Sequence, residues 1–351
     1  MLPSNYAESR DTFNALAGRI GAERRRFVHD MEAALSTDVA YLGASDARKL
    51  VVIASGTHGV EGYAGSACQF HFMRHYRERH AMEGTAFLLV HAVNPWGYFQ
   101  DRRVTREGAD LNRNFVDFPL PPQPPSGYGR FHERLVERFR PMPSGFWNEM
   151  RLLGGALSAS KRKAIQAAIT AGQYDHPDGL FFGGTAPTKS RVVWEEIVAA
   201  YAKGRDTAFL LDIHTGLGKY GEGELISYLP ASSENFRRLS EWFGGEIRSM
   251  ASGESVSAAI SGDLTAAFDR AIEGESHAVG LEFGTRPPLA VLYAMRADQW
   301  YWNNAQRLSS RHREWARAKM KHAFAPSDIA WHDSVIARFD RVVSMLLTGL
   351  R

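Results

Sequence analysis

The chain has 351 residues, with 42 Lys or Arg against 39 Asp or Glu and a net charge of +3. This near balance argues against nucleic acid or an anionic membrane as a partner, because both select strongly basic surfaces. The length fits one large α/β domain over residues 1–351. The single cysteine, Cys68, excludes an internal disulfide and fits a reducing compartment. Because neither a signal peptide nor an apolar run of ~20 residues is apparent, we predict a soluble, cytoplasmic protein.

The predicted elements alternate between helix and strand along the chain. Residues 5–35 favour helix. Strand patterns follow at four places: 50–54, 87–93, 208–213 and 278–283. Helix-compatible stretches occupy 63–79, 160–172, 189–203, 234–249 and 290–322. Such alternation predicts an α/β fold with a mostly parallel or mixed twisted sheet flanked by helices. We also predict an inserted loop and helical segment at about 118–185, which begins with a proline-rich run, and C-terminal helices at about 290–350.

The most informative motif is His58 and Glu61, separated by two residues directly after the first apolar strand pattern. A His-x-x-Glu pair alone is weak, because most such pairs are neighbours on a surface helix. Here Gly56, Gly59 and Gly62 surround the pair and permit a sharp main-chain turn, so that an imidazole and a carboxylate can converge on one ion. A catalytic zinc usually has three protein ligands, so a third donor must come from elsewhere.

The best candidate for the third donor is His214, at the downstream end of another apolar strand pattern. Sites in α/β sheets are built where strands end. Asp212 lies two positions earlier, on the same face of the strand, where it could accept a hydrogen bond from a ligand imidazole.

Three further segments complete an ordered series: Asn94-Pro95-Trp96-Gly97, Asp110-Leu111-Asn112-Arg113-Asn114 and Leu281-Glu282-Phe283-Gly284. With the His-x-x-Glu pair and the strand-end histidine, this series resembles the M14 metallocarboxypeptidase superfamily. It is most similar to the DUF2817 branch, which is related to the aspartoacylase and succinylglutamate desuccinylase group. The resemblance implies a zinc-carboxypeptidase-like domain in which Zn²⁺ is held by His58, Glu61 and His214. It also implies that Glu282 is the general base that takes a proton from the attacking water.

The resemblance further assigns the polar residues around the metal. Asn112 and Arg113 match the pair that holds a substrate carboxylate, and Asp110 matches the carboxylate that steadies the first ligand histidine. For the arginine that stabilises the oxyanion we choose Arg103 over Arg102, although the spacing to Asn112 differs from that in the related groups.

The resulting hypothesis is a zinc-dependent hydrolase that cleaves an amide bond next to a free carboxylate, in a small molecule or short peptide. Peptide-cleaving members usually carry a mobile tyrosine about twenty residues before the catalytic glutamate, whereas residues 256–264 contain none. An N-acyl amino acid deacylase of aspartoacylase type is therefore the alternative. A binding protein without catalysis is disfavoured because the ligand set and Glu282 are all retained. The aromatic residues near Trp300 and Trp302 leave a homo-oligomer possible.

Overall fold

The computed structural model describes residues 2–76, 81–119, 127–145, 159–256 and 260–351, with the main chain alone for 159–164. Its strands are β1 Glu23–Asp30, β2 Leu35–Leu42, β3 Lys49–Ser55, β4 Thr85–His91, β5 Thr207–Tyr220, β6 Gly223–Ser227, β7 Ile247–Ser249 and β8 Glu275–Gly284. Its helices are α1 Tyr6–Arg19, α2 Gly62–His75, α3 Pro95–Gln100, α4 Gly129–His132, α5 Ala159–Thr170, α6 Lys189–Tyr201, α7 Glu234–Trp242, α8 Leu264–Ala271, α9 Pro288–Asn303, α10 Ser310–Phe324 and α11 Ile329–Gly349.

The strands form one mixed eight-stranded sheet in the order β1-β2-β4-β3-β5-β8-β6-β7. Its centre is parallel, because β3 pairs in parallel with β4 and β5, and β5 pairs in parallel with β8. Antiparallel pairings flank this centre, where β2 joins β4 and β6 joins β8. The predicted mixed sheet flanked by helices is confirmed.

Helices cover both faces of the sheet, so the central strands are apolar throughout rather than alternating. In β3, Val51 and Ile53 pack into a core that includes Phe339 of α11. Leu50 and Val52 point to the opposite face, in a core that includes Trp194 of α6. Burial on both faces holds the end of β3 in place, and the metal-ligand motif follows directly from it.

The prediction of helix over residues 5–35 is wrong beyond Arg19, because β1 and β2 follow α1. β1 is an edge strand in which only Phe27 is buried, so it has no alternating pattern and depends on pairing with β2. The stretch predicted as helix at 234–249 ends at Trp242 and leads into β7. The 290–322 stretch is two helices, α9 and α10.

The segment predicted as an insert contains α4, a single π-helical turn Glu133–Glu137 and α5 among the residues described. Parts of it, at 120–126 and 146–158, lie outside the described residues, as do 77–80 at the end of the predicted 63–79 helix. Three helices, α9 to α11, occupy the C-terminal region. Among the residues described, no helix is both long enough and apolar enough to cross a bilayer.

Candidate metal centre and catalytic site

Two strand ends bring the predicted metal ligands together. His58 follows β3 and is followed by a 3-10 turn, Gly59–Glu61, that turns the Glu61 carboxylate back towards it. A Cβ on Gly59 would lie 2.0 Å from the carbonyl carbon of Gly97, so this turn packs directly against α3. His214 lies in the adjacent strand β5, which pairs in parallel with β3.

The two imidazoles and the carboxylate converge on one point. His58 Nδ1 lies 3.0 Å from Glu61 Oε1, and His214 Nδ1 lies 2.9 Å from Glu61 Oε2. One donor atom from each of the three residues lies within 4.8 Å of the others, and all three side chains are buried. His58 Nδ1 is fully buried and has no hydrogen-bond partner among the residues described, which is costly unless a ligand occupies it. Two imidazole nitrogens and one carboxylate oxygen match the donor set of a catalytic zinc.

Carboxylates on the far side of each imidazole fix its orientation. His58 Nε2 lies 3.1 Å from Asp110 Oδ1, and His214 Nε2 lies 2.6 Å from Asp212 Oδ2. Asp212 also accepts a hydrogen bond from Thr57 Oγ1 at 2.8 Å. A neutral ring that donates from Nε2 to a carboxylate has its unprotonated Nδ1 facing inward, where it can ligate a metal. Burial opposes protonation of His214, but Asp212 and Glu61 raise its pKa well above the usual value. Burial opposes ionisation of Asp110, but the neighbouring Arg103 and His58 hold its pKa well below the usual range.

The two adjacent arginines point in different directions. Arg103 Nη1 donates to Glu61 Oε1 at 3.0 Å, its Nε donates to Asp110 Oδ2 at 3.0 Å, and the side chain lines the cavity beside the ligands. Arg102 forms a buried ion pair with Asp298 of α9 at 2.8 Å. The structure therefore places Arg103, and not Arg102, next to the predicted metal ligands.

Glu282 shares a rung of the sheet with a predicted ligand, because His214 of β5 pairs with Glu282 of β8. Its Oε1 accepts a hydrogen bond from the Leu217 N–H at 2.9 Å. Burial and the negative charge of Glu61 raise the pKa of Glu282 to about 7. A carboxylate with this pKa can both accept and return a proton near neutral pH.

Asn112 and Arg113 lie at one end of the same cavity. Asn112 Oδ1 accepts a hydrogen bond at 3.1 Å from the N–H of Leu264, the first residue of α8. Arg113 Nη1 donates to the Asn112 carbonyl at 2.9 Å, and Nη2 donates to the carbonyl of Thr170. Gly172, at φ +102°, packs so closely on this arginine that a Cβ there would lie 2.6 Å from Arg113 Cδ. Main-chain contacts thus fix the guanidinium and leave one N–H on each terminal nitrogen for a ligand.

The cavity that joins these residues has a volume of about 700 Å³. Its polar lining includes His58, Arg103, Asn112, Arg113 and Glu282. Much of the remaining lining is apolar and comes from segments that the sequence analysis assigned to no site: Ile165, Ile169, Phe181, Leu289, Val291, Leu292, Met295 and Phe324. Most of these residues lie on helices, where an apolar sequence pattern does not distinguish a cavity wall from core.

The family described as "Protein of unknown function (DUF2817)" matches residues 3–338. The chain belongs to the DUF2817 family. This confirms the family resemblance found in the sequence. A comparison with curated proteins finds no significant match.

Among solved structures, this DUF2817 chain is similar to the carboxypeptidase A of Helicoverpa armigera, with a TM-score of 0.51 and 13% identity over 92% of this chain and 74% of that chain. Bovine thrombin-activatable fibrinolysis inhibitor, in complex with tick carboxypeptidase inhibitor, gives a TM-score of 0.49 and 12% identity over 98% of this chain and 97% of that chain. A metallo-carboxypeptidase from Pseudomonas aeruginosa gives 0.47 and 14% identity over 97% and 70%. At these identities the likeness to carboxypeptidase A concerns the fold, and the predicted carboxypeptidase-like fold is confirmed.

A second group of possible ligands, His132, His176 and Asp178, lies outside the cavity of this DUF2817 chain. The two imidazoles stack with their centroids 4.1 Å apart and their planes 20° apart, so their in-plane lone pairs do not aim at a common centre. Asp178 lies 3.5 Å from His132 and its side chain is 55% exposed. This group is better described as a partly exposed ion-pair cluster than as a metal centre.

Proposed function

We propose that the protein is a zinc-dependent hydrolase that cleaves an amide bond next to a free carboxylate. The observation that carries the proposal is the inward orientation of two histidine Nδ1 atoms towards Glu61, with each Nε2 held by a carboxylate. The fold of this chain, which is similar to that of carboxypeptidase A, is consistent with this chemistry. A fold does not by itself assign a reaction.

In the proposed reaction His58, Glu61 and His214 hold the metal, and Glu282 handles the proton. Zinc, when bound, lowers the pKa of a water towards ~7 and polarises a carbonyl. Glu282 accepts a proton from the attacking water and delivers it to the departing amine, a shuttle suited to its pKa of about 7. The Leu217 N–H keeps one carboxylate oxygen in place during both transfers.

Two arginines have separate roles in this proposal, one in binding the substrate carboxylate and one in stabilising the oxyanion. Arg113, fixed by the carbonyls of Asn112 and Thr170, binds the substrate carboxylate with its remaining N–H groups. Arg103 contacts Glu61 and Asp110 and lines the same cavity, where its positive charge stabilises the oxyanion that develops on the cleaved carbonyl. Asp110 holds both Arg103 and His58, and so couples the oxyanion contact to the ligand geometry.

A deacylase of N-acyl amino acids is the second candidate, and one observation favours it over a peptide carboxypeptidase. Residues 256–264 contain no tyrosine, and no tyrosine is among the described residues that line the cavity. A small amide with a carboxylate needs fewer contacts beyond Arg113 than a peptide chain does.

The test is turnover of a panel of N-acyl amino acids and dipeptides by the purified protein, before and after chelation and with zinc restored. We expect chelation to remove activity and zinc to return it. Glu282→Gln should lose turnover, whereas the matched variant Glu222→Gln should keep it, because the Glu222 side chain is 67% exposed and contacts Lys219. A fully active protein without any transition metal would refute the proposal.

A further inference from the structure

Two chemically different groups of residues line the cavity. In the first, Asn112, Arg113, Asp263 and Thr265 line the cavity beside the start of α8. In the second, α9 begins six residues after Glu282 and presents an apolar wall together with α10. This wall consists of Pro288, Leu289, Val291, Leu292, Met295 and Phe324.

The apolar wall is adjacent to the catalytic carboxylate. A Cβ placed on Gly216 would lie 3.3 Å from the ring of Phe324 and 3.4 Å from Glu282 Oε1, so the ring and the carboxylate flank the same glycine. Thr215, next to the ligand His214, donates its hydroxyl to the Phe324 carbonyl at 2.6 Å. The Thr215 side chain of β5 therefore holds Phe324 beside the reacting centre.

The wall is partly open to solvent. Val291 and Met295 are buried within a core cluster, whereas Leu289, near the start of α9, is 58% exposed. An exposed leucine that continues a cavity wall is typical of a mouth where an apolar ligand passes from solvent into protein.

The geometry points to an apolar, extended acyl group in the substrate, bound along the α9 wall on the side of the amide bond away from the carboxylate. This inference rests on the proposed function, because the carboxylate at Arg113 and the cleaved bond at the metal ligands set the direction of the substrate. The acyl half must then extend past Glu282 towards Phe324, Leu292 and Leu289. The substrate class is accordingly amino acids that carry a medium-chain aliphatic or an aromatic N-acyl group.

The size of the cavity agrees with this class. About 700 Å³ lies within the range that encloses drug-sized ligands, which is far more than an acetylated amino acid fills. Each methylene that moves from water onto an apolar wall gains about fourfold in affinity, which corresponds to about 0.8 kcal/mol.

The experiment compares N-acetyl, N-butanoyl, N-hexanoyl and N-octanoyl derivatives of one amino acid on the zinc-loaded enzyme. We expect kcat/KM to rise about fourfold per methylene until the wall is covered. Leu292→Ala and the exposed-site variant Leu289→Ser should lower the octanoyl-to-acetyl ratio at least fivefold. Leu229→Ala, a partly buried leucine packed elsewhere on the core, should keep the wild-type ratio.

Two results would overturn the inference while leaving the proposed function intact: a flat or falling acyl series in the wild type, or unchanged ratios in both wall variants. A third is a wall variant that alters preference for the amino acid side chain, in a glycine, leucine and phenylalanine series, instead of the acyl group. Binding of the same acyl series to zinc-loaded Glu282→Gln, measured by calorimetry, tests the wall without turnover. If binding depends on the acyl group but the wild type shows no turnover, the proposed hydrolase function is refuted, whereas the apolar binding site is supported.

Discussion

Arg113 offers the sharpest test of how the substrate is oriented. Its two terminal nitrogens each donate one N–H to a main-chain carbonyl, of Asn112 and Thr170, which leaves one N–H on each nitrogen for a carboxylate. Two charge-assisted hydrogen bonds at about 1.5 kcal/mol each amount to about 3 kcal/mol, or about 150-fold in kcat/KM. Converting the substrate carboxylate to an amide should therefore cost the wild type about 150-fold.

The same amidation should cost Arg113→Ala less than about fivefold, because the partner is already gone. Arg113→Lys should behave more like the alanine variant than like the wild type, since an ammonium cannot make two parallel hydrogen bonds. Steady-state kinetics on the best acyl substrate and its amide, with all three enzymes matched in zinc content, gives the comparison. Equal penalties in wild type and Arg113→Ala would refute the reasoning and make Arg103, the other arginine among the described cavity residues, the next candidate.

Four further outcomes are expected. Glu282→Gln should lower kcat by a factor of about 10² to 10⁴ with zinc retained; a variant near wild-type rate would require another base. Because the ionised form of Glu282 accepts the proton and its pKa is about 7, kcat/KM should fall about tenfold per pH unit below that value, and a profile flat down to pH 5 would contradict this. Elemental analysis should find about one zinc per chain, lost in His58→Ala and retained in the control His176→Ala; loss in the control would make the second cluster a metal site. Burial lowers the pKa of His91 to about 4. As the pH falls below about 6.5, this histidine becomes protonated in the unfolded chain but stays neutral in the native protein until about pH 4. The free energy of unfolding should therefore fall by about 3 kcal/mol between these two pH values. Urea unfolding of His91→Asn should show a shallower slope than the wild type, with a remainder from His29 and His277, whose pKa values burial also lowers to about 4. An unchanged slope would exclude His91 as a source.

The central strands could be predicted from sequence because both of their faces are buried. The Val51-Val52-Ile53 run in β3 is apolar on both sides, and that pattern needs no knowledge of distant partners. β1 could not be predicted in this way, because it exposes most of its side chains and exists through its ladder with β2. Its Arg24-Arg25-Arg26 run therefore resembles a solvated helix until the pairing is known.

For the candidate site, the local sequence pattern predicted which residues lie at strand ends, but not which distant segments contact them. The motifs around His58 and His214 predicted convergence because both follow or end apolar strands, and the structure brings them to one carboxylate. The choice between Arg102 and Arg103 depends on Asp298, which lies almost two hundred positions later and pairs with the first of them. The apolar wall was missed for the same reason, since whether Leu292 faces a cavity or a core depends on how α9 packs.

The pairing of His214 with Glu282 has a consequence for how this chain can vary. Both residues sit on one hydrogen-bonded rung of adjacent parallel strands, so their relative position depends on strand register and not on the length of chain that connects them. A change in length within the connection from β5 to β8 should leave this pairing intact as long as the two strands stay aligned and the buried side chains of α7 and β7 keep their packing. A single added residue within β8, upstream of Glu282, would instead turn the carboxylate to the opposite face of an otherwise intact sheet.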